Sequence, residues 1–323
     1  MSTPSEPGPH RTRHRLSVMV LALAPVGLLV SRLGEWWVEA DAVNLLAIYW
    51  WPLMLVAVPL AAWRIGTRAA RWAALTIMAL TLWQGAALFR PVIQPRPDIG
   101  PDPIALRLVS YNMYKNSAST TQDARWVEEQ DADFVVLLEG RRINDGPGKR
   151  LRAKYPVMLD CSATARCSTI LLSRYPLLSF HPLARGDAEN RQALSALVAT
   201  FDVKGVPLTL VVVHLDQPWP LGDQEAYLPQ LVSAAAQVDG PALMVGDFNS
   251  VPWTYAVQSA ADANGFRIAE LPSRSWPAGA PKLLRLPLDQ LHLKGPVRVQ
   301  KMESGPRLGS DHHPIIADIL LKR

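Results

Sequence analysis

Cysteine is scarce in this 323-residue chain, which has two, Cys161 and Cys167, in the stretch CSATARC. A framework of several disulfides is therefore excluded, and at most one intrachain bridge can form. In an oxidising compartment the two thiols could close this small loop as a disulfide. Two unpaired thiols are the alternative, because close spacing along the chain does not establish the geometry that a disulfide needs.

Clustered positive charge is also lacking where it would matter for nucleic-acid binding. The net charge is +5, from 33 Lys and Arg against 28 Asp and Glu. Residues 1–100 hold nine of the basic and five of the acidic side chains, so residues 101–323 hold twenty-four and twenty-three. A surface that follows a phosphate backbone needs concentrated cations. Bulk charge therefore gives no support for nucleic-acid binding by the C-terminal part.

The N-terminal part instead contains three long apolar runs, at residues 16–33, 42–63 and 71–89. A helix that crosses the hydrocarbon core of a bilayer needs about 20 mostly apolar residues, and tryptophans lie in or beside these runs, several at interface depths. No polar face interrupts the runs, which disfavours a soluble helical bundle as the alternative. The sequence therefore predicts three transmembrane helices, preceded by a tail at residues 1–15.

The charged residues around the three runs predict their orientation. The loop between the first and second runs is acidic. Basic residues precede the first run and fill the loop between the second and third: Arg11, Arg13, Arg15, Arg64, Arg68 and Arg71. Positively charged loops stay in the cytoplasm, so we expect everything after Phe89 on the extracytoplasmic side of the cytoplasmic (inner) membrane. If the first run is instead a signal peptide, cleaved near residues 40–42, the C-terminal part is still outside.

A linker and a pattern of strands and helices follow. Residues 90–103 contain five prolines and predict a semi-rigid spacer. From residue 104 to residue 323, apolar runs such as FVVLL and LTLVVVH recur and predict strands, with helices expected near residues 120–130, 224–238 and 253–263. Uninterrupted apolar strands indicate sheets that are covered on both faces. The pattern therefore favours an α+β layered sandwich.

Four of these apolar strands end in polar residues. They are Asn112, Glu139, His214, and Asp247 with Asn249. If the strand ends meet at one rim of the sandwich, the acidic cluster there needs a cation or protons. Oxygen ligands without thiolates suit a hard ion such as Mg²⁺ or Mn²⁺. Asp247 and Asn249 would share one face, where a carboxylate can orient or deprotonate a water and an amide can donate to a phosphoryl oxygen.

Two further segments carry candidate catalytic residues. The stretch PLDQLHL predicts that Asp289 shares a strand face with Leu291 and Leu293, where a buried carboxylate needs a cationic or hydrogen-bonding partner. A histidine held by that carboxylate would have a fixed tautomer and a favoured imidazolium form. The stretch RLGSDHHPIIADI offers His312 and His313. Adjacent strand residues point to opposite faces, so only one of the two can reach the cleft.

The motifs SYN, LLE, HLD, GDFN, LDQL and SDHHP, in this order at strand ends, resemble those of the endonuclease/exonuclease/phosphatase superfamily, with its deoxyribonuclease I-like fold. The resemblance covers about residues 104–320. It implies a four-layer α/β/β/α sandwich at residues 104–323, after the three transmembrane helices. It also implies a metal-dependent phosphoric ester hydrolase that uses Mg²⁺ or Mn²⁺.

The resemblance also implies a metal site. Glu139 is then the principal metal ligand, Asn112 helps to hold the ion, and Asp311 lies beside it. Some nuclease relatives have a further acidic residue just after the first-strand asparagine, where this chain has Met113 and Tyr114. Their metal ligation is therefore not expected to carry over in full.

The hydrolytic roles follow from the same resemblance. Asp247 would orient or activate the attacking water, Asn249 would contact the phosphate, and His214 would bind the scissile phosphate. Asp289 would pair with the histidine of the Ser-Asp-His pattern, which is His312. Whether Asp247 or His312 is the general base stays open at this stage.

Two other histidines are expected to have no catalytic part. His313 is the neighbour that the Ser-Asp-His pattern does not select, and we expect it to pack or face solvent beside Pro314. His292 falls on the strand face opposite Asp289, so a structural role is expected.

The substrate is a separate question. The predicted membrane anchor and the near-neutral domain favour lipid-linked or phospholipid phosphates, with membrane lipids as partners and no protein partner. The loop at residues 271–287 offers apolar and basic side chains to such a substrate, although a plain surface loop is the alternative; these are Trp276, Leu283, Leu284, Arg274, Lys282 and Arg285. An anchored nuclease acting on extracytoplasmic nucleic acid is the second hypothesis, and a catalytically silent binding or scaffold protein is the third.

Overall fold

Two compact units make up the described chain in the computed structural model. One is helical and lies within the residues up to Arg90, with Trp253–Tyr255 added to it; the other contains the remaining described residues. Cys161 and Cys167, and the predicted alternatives for them, lie outside the described residues. The described residues are 9–90, 96–114, 120–140, 148–160, 169–182, 195–215, 228–269 and 273–323.

Three N-terminal helical spans are long and apolar enough to cross a membrane, by length and composition. The spans are Thr12–Leu33, Val38–Ile65 and Arg68–Phe89, and each contains one of the predicted runs. The elements are α1 (Pro9–Leu33), α2 (Val38–Asp41), a 3-10 turn (Ala42–Leu46), α3 (Ala47–Ile65) and α4 (Arg68–Phe89).

Small side chains line the inside of the helical unit, and large apolar ones cover its outside. Ala24, Ala62 and Ala74 are buried where α1, α3 and α4 pack together, which lets the backbones approach closely. Trp63 and Trp72, in contrast, are 74% and 71% exposed. An outer surface of this kind is unfavourable in water and typical of helices that face lipid.

A buried polar cluster links three helical segments of the same unit. The Ser31 hydroxyl donates to Asn44 Oδ1 at 2.6 Å, and Gln84 Nε2 donates to the Ser31 hydroxyl at 2.8 Å. Asn44 Nδ2 also donates to Asp41 Oδ1 at 2.8 Å. Because an unpaired polar group is costly among apolar helices, these bonds favour one arrangement of the helices.

The described part of the second unit consists of twelve strands, four α-helices and a short 3-10 helix at Lys282–Leu284. The strands are β1 (Ile104–Asn112), β2 (Phe134–Leu138), β3 (Val157–Asp160), β4 (Ile170–Ser173), β5 (Leu177–Pro182), β6 (Ser195–Val203), β7 (Val206–His214), β8 (Ala242–Asp247), β9 (Arg267–Ile268), β10 (Asp289–Lys294), β11 (Val297–Ser304) and β12 (Ile315–Leu321). The helices are α5 (Thr120–Glu129), α6 (Gly148–Lys154), α7 (Leu228–Ala236) and α8 (Tyr255–Asp262).

The strands form two six-stranded mixed sheets. The first has the order β11-β12-β1-β2-β4-β3, and the second has the order β5-β6-β7-β8-β10-β9. In each sheet the two central strands are parallel, β1 with β2 and β7 with β8. The strands that flank these pairs run antiparallel to them, including β12 beside β1 and β10 beside β8.

Alternation along the strands produces four layers. On β1, Leu106 and Leu108 belong to the core between the two sheets, whereas Val109 and Tyr111 face the other way and pack with α5. On the second sheet, Val211 and its alternate neighbours likewise pack on α7 and α8. The result is an α/β/β/α sandwich, which confirms the predicted fold class.

Candidate active site

Polar residues lie at the ends of four strands, on their inner faces, at one edge of the sandwich. Asn112, His214, Asp247 and Asp289 each lie an even number of positions from a core residue of the same strand, so they point into the space between the sheets. His214 lies opposite Asp247 in the β7–β8 register, and Asp289 lies opposite Asp247 in the β8–β10 register. Asn112 Nδ2 donates to Asp247 Oδ2 at 3.0 Å, which joins the two sheets at this edge.

The imidazole of His312 lies between two carboxylates. Its Nδ1 is 2.7 Å from Asp289 Oδ2, and its Nε2 is 3.7 Å from Asp247 Oδ2. All three side chains are buried. Burial alone would lower the pKa of His312, but the charges of Asp289 and Asp247 outweigh it and raise that pKa to about 10. His312 is therefore an imidazolium at neutral pH.

Asp247 is the most connected carboxylate of the site. Its side chain is fully buried, and this burial raises its pKa, against the opposing charge of His312. Its Oδ1 accepts a hydrogen bond from the backbone N–H of Asn249 at 2.8 Å, and its Oδ2 accepts one from Asn112. A carboxylate with a raised pKa next to a fixed imidazolium is suited to accept a proton from water.

The residue before Asp247 has to be glycine. Gly246 has φ +145°, and a Cβ placed on it would lie 1.9 Å from the carbonyl oxygen of Val213 in β7. The backbones of β7 and β8 therefore approach each other here more closely than a side chain allows. This approach sets the position of Asp247 relative to His214.

Glu139 reaches the site by leaving the strand pattern. It follows β2 directly and adopts a left-handed backbone, φ +56°, which is uncommon for a residue other than glycine and is found at functional sites. Its Oε1 is 3.5 Å from Asn112 Nδ2 and 3.9 Å from His214 Nε2. Continued strand alternation would have directed residue 139 to the opposite face, so the end of the strand is what brings Glu139 to the cluster.

Asn249 has a left-handed backbone, φ +46°, and its side-chain amide donates to the carbonyl oxygen of Leu215 at 2.7 Å. The structure thus holds Asn249 beside Asp247. Its predicted contact with a phosphate stays a prediction.

The Ser-Asp-His segment is held by its serine, which sequence reasoning did not single out. The Ser310 hydroxyl donates to the carbonyl oxygen of Asn112 at 2.6 Å and accepts from the backbone N–H of His312 at 3.0 Å. Asp311 is exposed, and its Oδ2 accepts from Trp276 Nε1 at 3.4 Å. The predicted place of Asp311 beside a metal stays a prediction.

His313 packs away from this cluster. Its Nδ1 is 2.9 Å from the carbonyl oxygen of Gly305, and its Nε2 is 3.3 Å from that of Ala278. Both ring nitrogens thus face backbone carbonyls, and the side chain is buried. These contacts with the backbone give His313 a structural role.

Gln290 and His292 contact the segment Phe248–Ser250, which follows Asp247. No sequence pattern predicted a role for Gln290. The Gln290 amide donates to the carbonyl oxygen of Ser250 at 2.7 Å and its Oε1 accepts from His292 Nε2 at 2.8 Å. The His292 ring stacks on Phe248, with centroids 4.6 Å apart. Burial lowers the pKa of His292 to about 3, so this ring is neutral. The expected structural role of His292 agrees with these contacts.

Two groups of side chains in the described residues could bind a cation. Asp247, Asp289 and His312 offer ligand atoms within 4.8 Å of one another. The Nδ1–Oδ2 contact is nevertheless better explained by a shared proton than by an ion, because 2.7 Å is a hydrogen-bond distance and leaves no room for an ion between the two atoms. Glu139 and Asn112 supply oxygen donors at the partly exposed side of the cluster, and such donors suit a hard divalent cation.

The fold is that of a class of phosphoester hydrolases. Residues 109–312 match the model of the Endonuclease/Exonuclease/phosphatase family. The chain therefore belongs to that family, whose members are metal-dependent phosphoester hydrolases. No curated protein shows significant sequence similarity to this chain.

Solved structures of similar fold include both nucleic-acid and lipid enzymes. Danio rerio (D. rerio) TDP2 complexed with a single-strand DNA product has a TM-score of 0.54 and 17% identity, and covers 67% of this chain and 98% of its own. Beta toxin from Staphylococcus aureus has a TM-score of 0.53 and 13% identity, and covers 66% of this chain and 99% of its own. Sphingomyelinase C from Streptomyces griseocarneus has a TM-score of 0.50 and 16% identity, and covers 67% of this chain and 99% of its own. At these identities the likeness concerns the fold alone.

Proposed function

We propose that this chain is a membrane-anchored, Mg²⁺- or Mn²⁺-dependent hydrolase of phosphoester or phosphoanhydride bonds in lipid-linked or phospholipid substrates, acting outside the cytoplasmic membrane. The observation that carries the catalytic part is the buried imidazolium of His312 between Asp289 and Asp247. A buried cation and a carboxylate with raised pKa, side by side at a sheet edge, are the groups that attack on phosphorus needs.

The side chains divide the reaction between them. Asp247 takes the proton of the attacking water, because burial raises its pKa. The side-chain amide of Asn112 and the backbone N–H of Asn249 orient its two oxygens. The imidazolium of His312 donates to a phosphoryl oxygen as negative charge develops there, and Asp289 fixes its orientation. This assigns the base to Asp247 and leaves His312 as the donor, since a group with a pKa of about 10 holds its proton at neutral pH.

The neighbouring residues bind the phosphate and the cation. His214 and Asn249 flank Asp247 and contact the phosphate in this proposal. Glu139 and Asn112 would hold the divalent cation, and Asp311 is the further residue expected near it. When bound, that ion supplies Lewis-acid polarisation of a phosphoryl oxygen. Oxygen donors without thiolates favour Mg²⁺ or Mn²⁺ over softer ions.

Three spans of membrane-crossing length support a lipid substrate, and the basic residues around them support the extracytoplasmic location. A domain tethered to a bilayer meets lipid phosphates at a high effective concentration. A sphingomyelinase among the proteins of similar fold is compatible with this substrate class. The alternative is an anchored nuclease, because a similar structure was determined with a DNA product; a catalytically silent scaffold comes third.

The test is an assay of the full chain in detergent micelles with three substrates: a phospholipid, an isoprenyl pyrophosphate and plasmid DNA. We expect turnover of a lipid substrate that chelation of divalent ions abolishes and added Mg²⁺ or Mn²⁺ restores. Asp247→Asn should lower kcat by about 10²–10⁴-fold, the range for loss of a general base. Cleavage of DNA alone would replace the lipid proposal with the nuclease. No turnover of any substrate would favour the scaffold.

A further inference from the structure

An exposed apolar turn lies beside the catalytic histidine segment. It comprises Pro281–Arg285, with a short 3-10 helix at Lys282–Leu284, and is called the leucine turn below. Leu283 is 74% exposed and Leu284 is 56% exposed. Among the described residues of the catalytic unit, Leu283 is the large apolar side chain most exposed to solvent. Exposing two adjacent leucines costs free energy in water, so the turn has a reason to be covered.

Hydrogen bonds hold the leucine turn open instead of letting it fold onto the domain. The backbone N–H of Leu284 donates to the carbonyl oxygen of Pro281 at 2.8 Å. Arg285 Nε donates to the carbonyl oxygen of Ala280 at 2.8 Å. The Arg274 guanidinium donates to the carbonyl oxygen of Leu283. The backbone of the turn is thus braced from both sides, and the leucine side chains project from it.

The base of the leucine turn is tied to the active site. Trp276 pairs with Leu286 as an isolated bridge below the turn. The backbone N–H of Ala278 donates to the carbonyl oxygen of Asp311 at 2.7 Å, and the Ser275 hydroxyl accepts from the backbone N–H of Asp289 at 3.3 Å. The turn is therefore connected through a few hydrogen bonds to Asp289 and to the segment that carries His312.

We infer that the leucine turn is a lipid-contact element, which enters the headgroup region of a bilayer and orients the active site toward lipid phosphates. This inference rests on the proposed lipid substrate. Two leucines beside the cations Lys282 and Arg285 form the pattern of a segment that binds a lipid surface, with apolar side chains among the acyl chains and basic groups at the phosphates.

A protein partner fits this surface less well than a lipid surface. A specific protein interface buries more than about 1,000 Å², and two leucine side chains provide a small part of that area. A bilayer, in contrast, accepts a small projecting apolar turn without any complementary surface. The three apolar spans of the same chain mean that a bilayer is its expected environment.

The direct test measures depth in a bilayer and does not need hydrolysis. In the full chain with Cys161→Ser and Cys167→Ser, Leu283→Cys is labelled with an environment-sensitive fluorophore, NBD. The protein is reconstituted into vesicles of phosphatidylethanolamine and phosphatidylglycerol with a shallow nitroxide lipid quencher. Leu178→Cys is the control, because Leu178 in β5 is also an exposed leucine of the catalytic unit, at 56% against 74% for Leu283. We expect at least twofold stronger quenching at position 283 than at position 178.

A second arm links the contact to activity. The double change Leu283→Asp and Leu284→Asp should lower turnover of a lipid substrate in vesicles by about tenfold, the effect of losing roughly one buried apolar side chain. Hydrolysis of a soluble short-chain phosphodiester should stay within about twofold, because neither leucine belongs to the catalytic cluster. Leu178→Asp serves as the control for a surface charge.

The outcomes separate this inference from the proposed function. Equal quenching at positions 283 and 178 would overturn the lipid contact even if the enzyme hydrolyses lipids. Stronger quenching at position 283 supports the contact even if the substrate turns out to be nucleic acid. Equal losses on lipid and soluble substrates would mean that the turn has a structural role and would also overturn the inference.

Discussion

At the scale of single residues, the protonated ring of His312 is the positive charge that the two buried carboxylates of the active site face. Two carboxylates face its ring, and its pKa of about 10 keeps the ring charged across the physiological range. Asp289 supplies the larger share of that effect through the shorter contact. The imidazolium in turn reduces the cost of burying Asp247. Removing any one of the three changes the charge that the other two experience, so their effects on activity should be far from additive.

The two adjacent histidines should respond differently to substitution. His312→Ala removes the buried donor and should lower kcat by about 10²–10³-fold, the usual cost of one transition-state donor. His313→Ala removes contacts to two backbone carbonyls, which should cost about 1–2 kcal/mol of stability and leave kcat within about threefold. Steady-state kinetics and thermal unfolding of both variants test this. Equal losses of kcat would refute the assignment.

The pH dependence follows from the signs of the two shifts. The pKa of His312 is raised, so the stability it contributes is fully present below its ordinary pKa of about 6.5 and is lost as the pH rises through about 10. The pKa of Asp247 is raised too, so the base becomes protonated at a higher pH than an ordinary aspartate as the pH falls. We expect kcat to fall on both sides of a plateau, with the alkaline fall near pH 10.

Asp289→Asn separates the causes of the alkaline fall. In this variant the charge of Asp289 no longer raises the pKa of His312, whereas burial still lowers it. Both kcat and the melting temperature should therefore begin to fall at a lower pH than in the wild type. Profiles of kcat and melting temperature against pH, measured on the wild type and the variant, check this. An unchanged alkaline limb would mean that His312 is not the group that titrates.

At the scale of elements, strands buried on both faces were predictable, and three of the four edge strands were not. Runs such as FVVLL and LTLVVVH became β2 and β7 because apolar residues on both faces need a covered sheet. β3 is half-buried at the edge of its sheet, β5 is largely exposed and β9 has two residues, so none has a clear apolar pattern. The helix α6 was also missed.

The candidate site followed the same rule. Asn112, His214 and Asp247 were found because each ends an apolar strand at the correct face, and Asp289 was found because it shares a strand face with Leu291 and Leu293. Ser310 and Gln290 act through backbone carbonyls of other segments, Asn112 and Ser250, and such long-range contacts leave no local pattern. The outward turn of Asp311 likewise depends on Trp276, which is 35 positions away.

Gly246 gives a test of the β7–β8 contact. Gly246→Ala would place a methyl group 1.9 Å from the Val213 carbonyl oxygen at φ +145°, so β8 would have to move. We expect a loss of about 2–4 kcal/mol in stability and a fall in activity, because Asp247 shifts with the strand. Gly240→Ala is the control, since Gly240 also has positive φ, +76°, but open space around it. Melting temperatures that fall equally would argue against the close approach.

At the scale of the whole molecule, the charge pattern predicts on which side of the membrane the hydrolase acts. Arg64, Arg68 and Arg71 flank the loop between the second and third spans, whereas Glu35 lies between the first and second spans and Glu39 and Asp41 lie at the start of the second. The positive-inside rule then directs the catalytic unit outward. Lipid phosphates of the outer leaflet are accessible substrates only with this orientation, so the proposed function and the orientation stand together.

The orientation can be tested without activity. In the full chain with Cys161→Ser and Cys167→Ser, Lys322→Cys reports on the catalytic unit and Ala69→Cys reports on the basic loop; both positions are exposed. In spheroplasts of a bacterial host, a membrane-impermeant maleimide should label Lys322→Cys directly and Ala69→Cys only after permeabilisation. The reverse pattern would mean that the catalytic unit faces the cytoplasm. An extracytoplasmic substrate would then be excluded, and the leucine turn could contact only the inner leaflet.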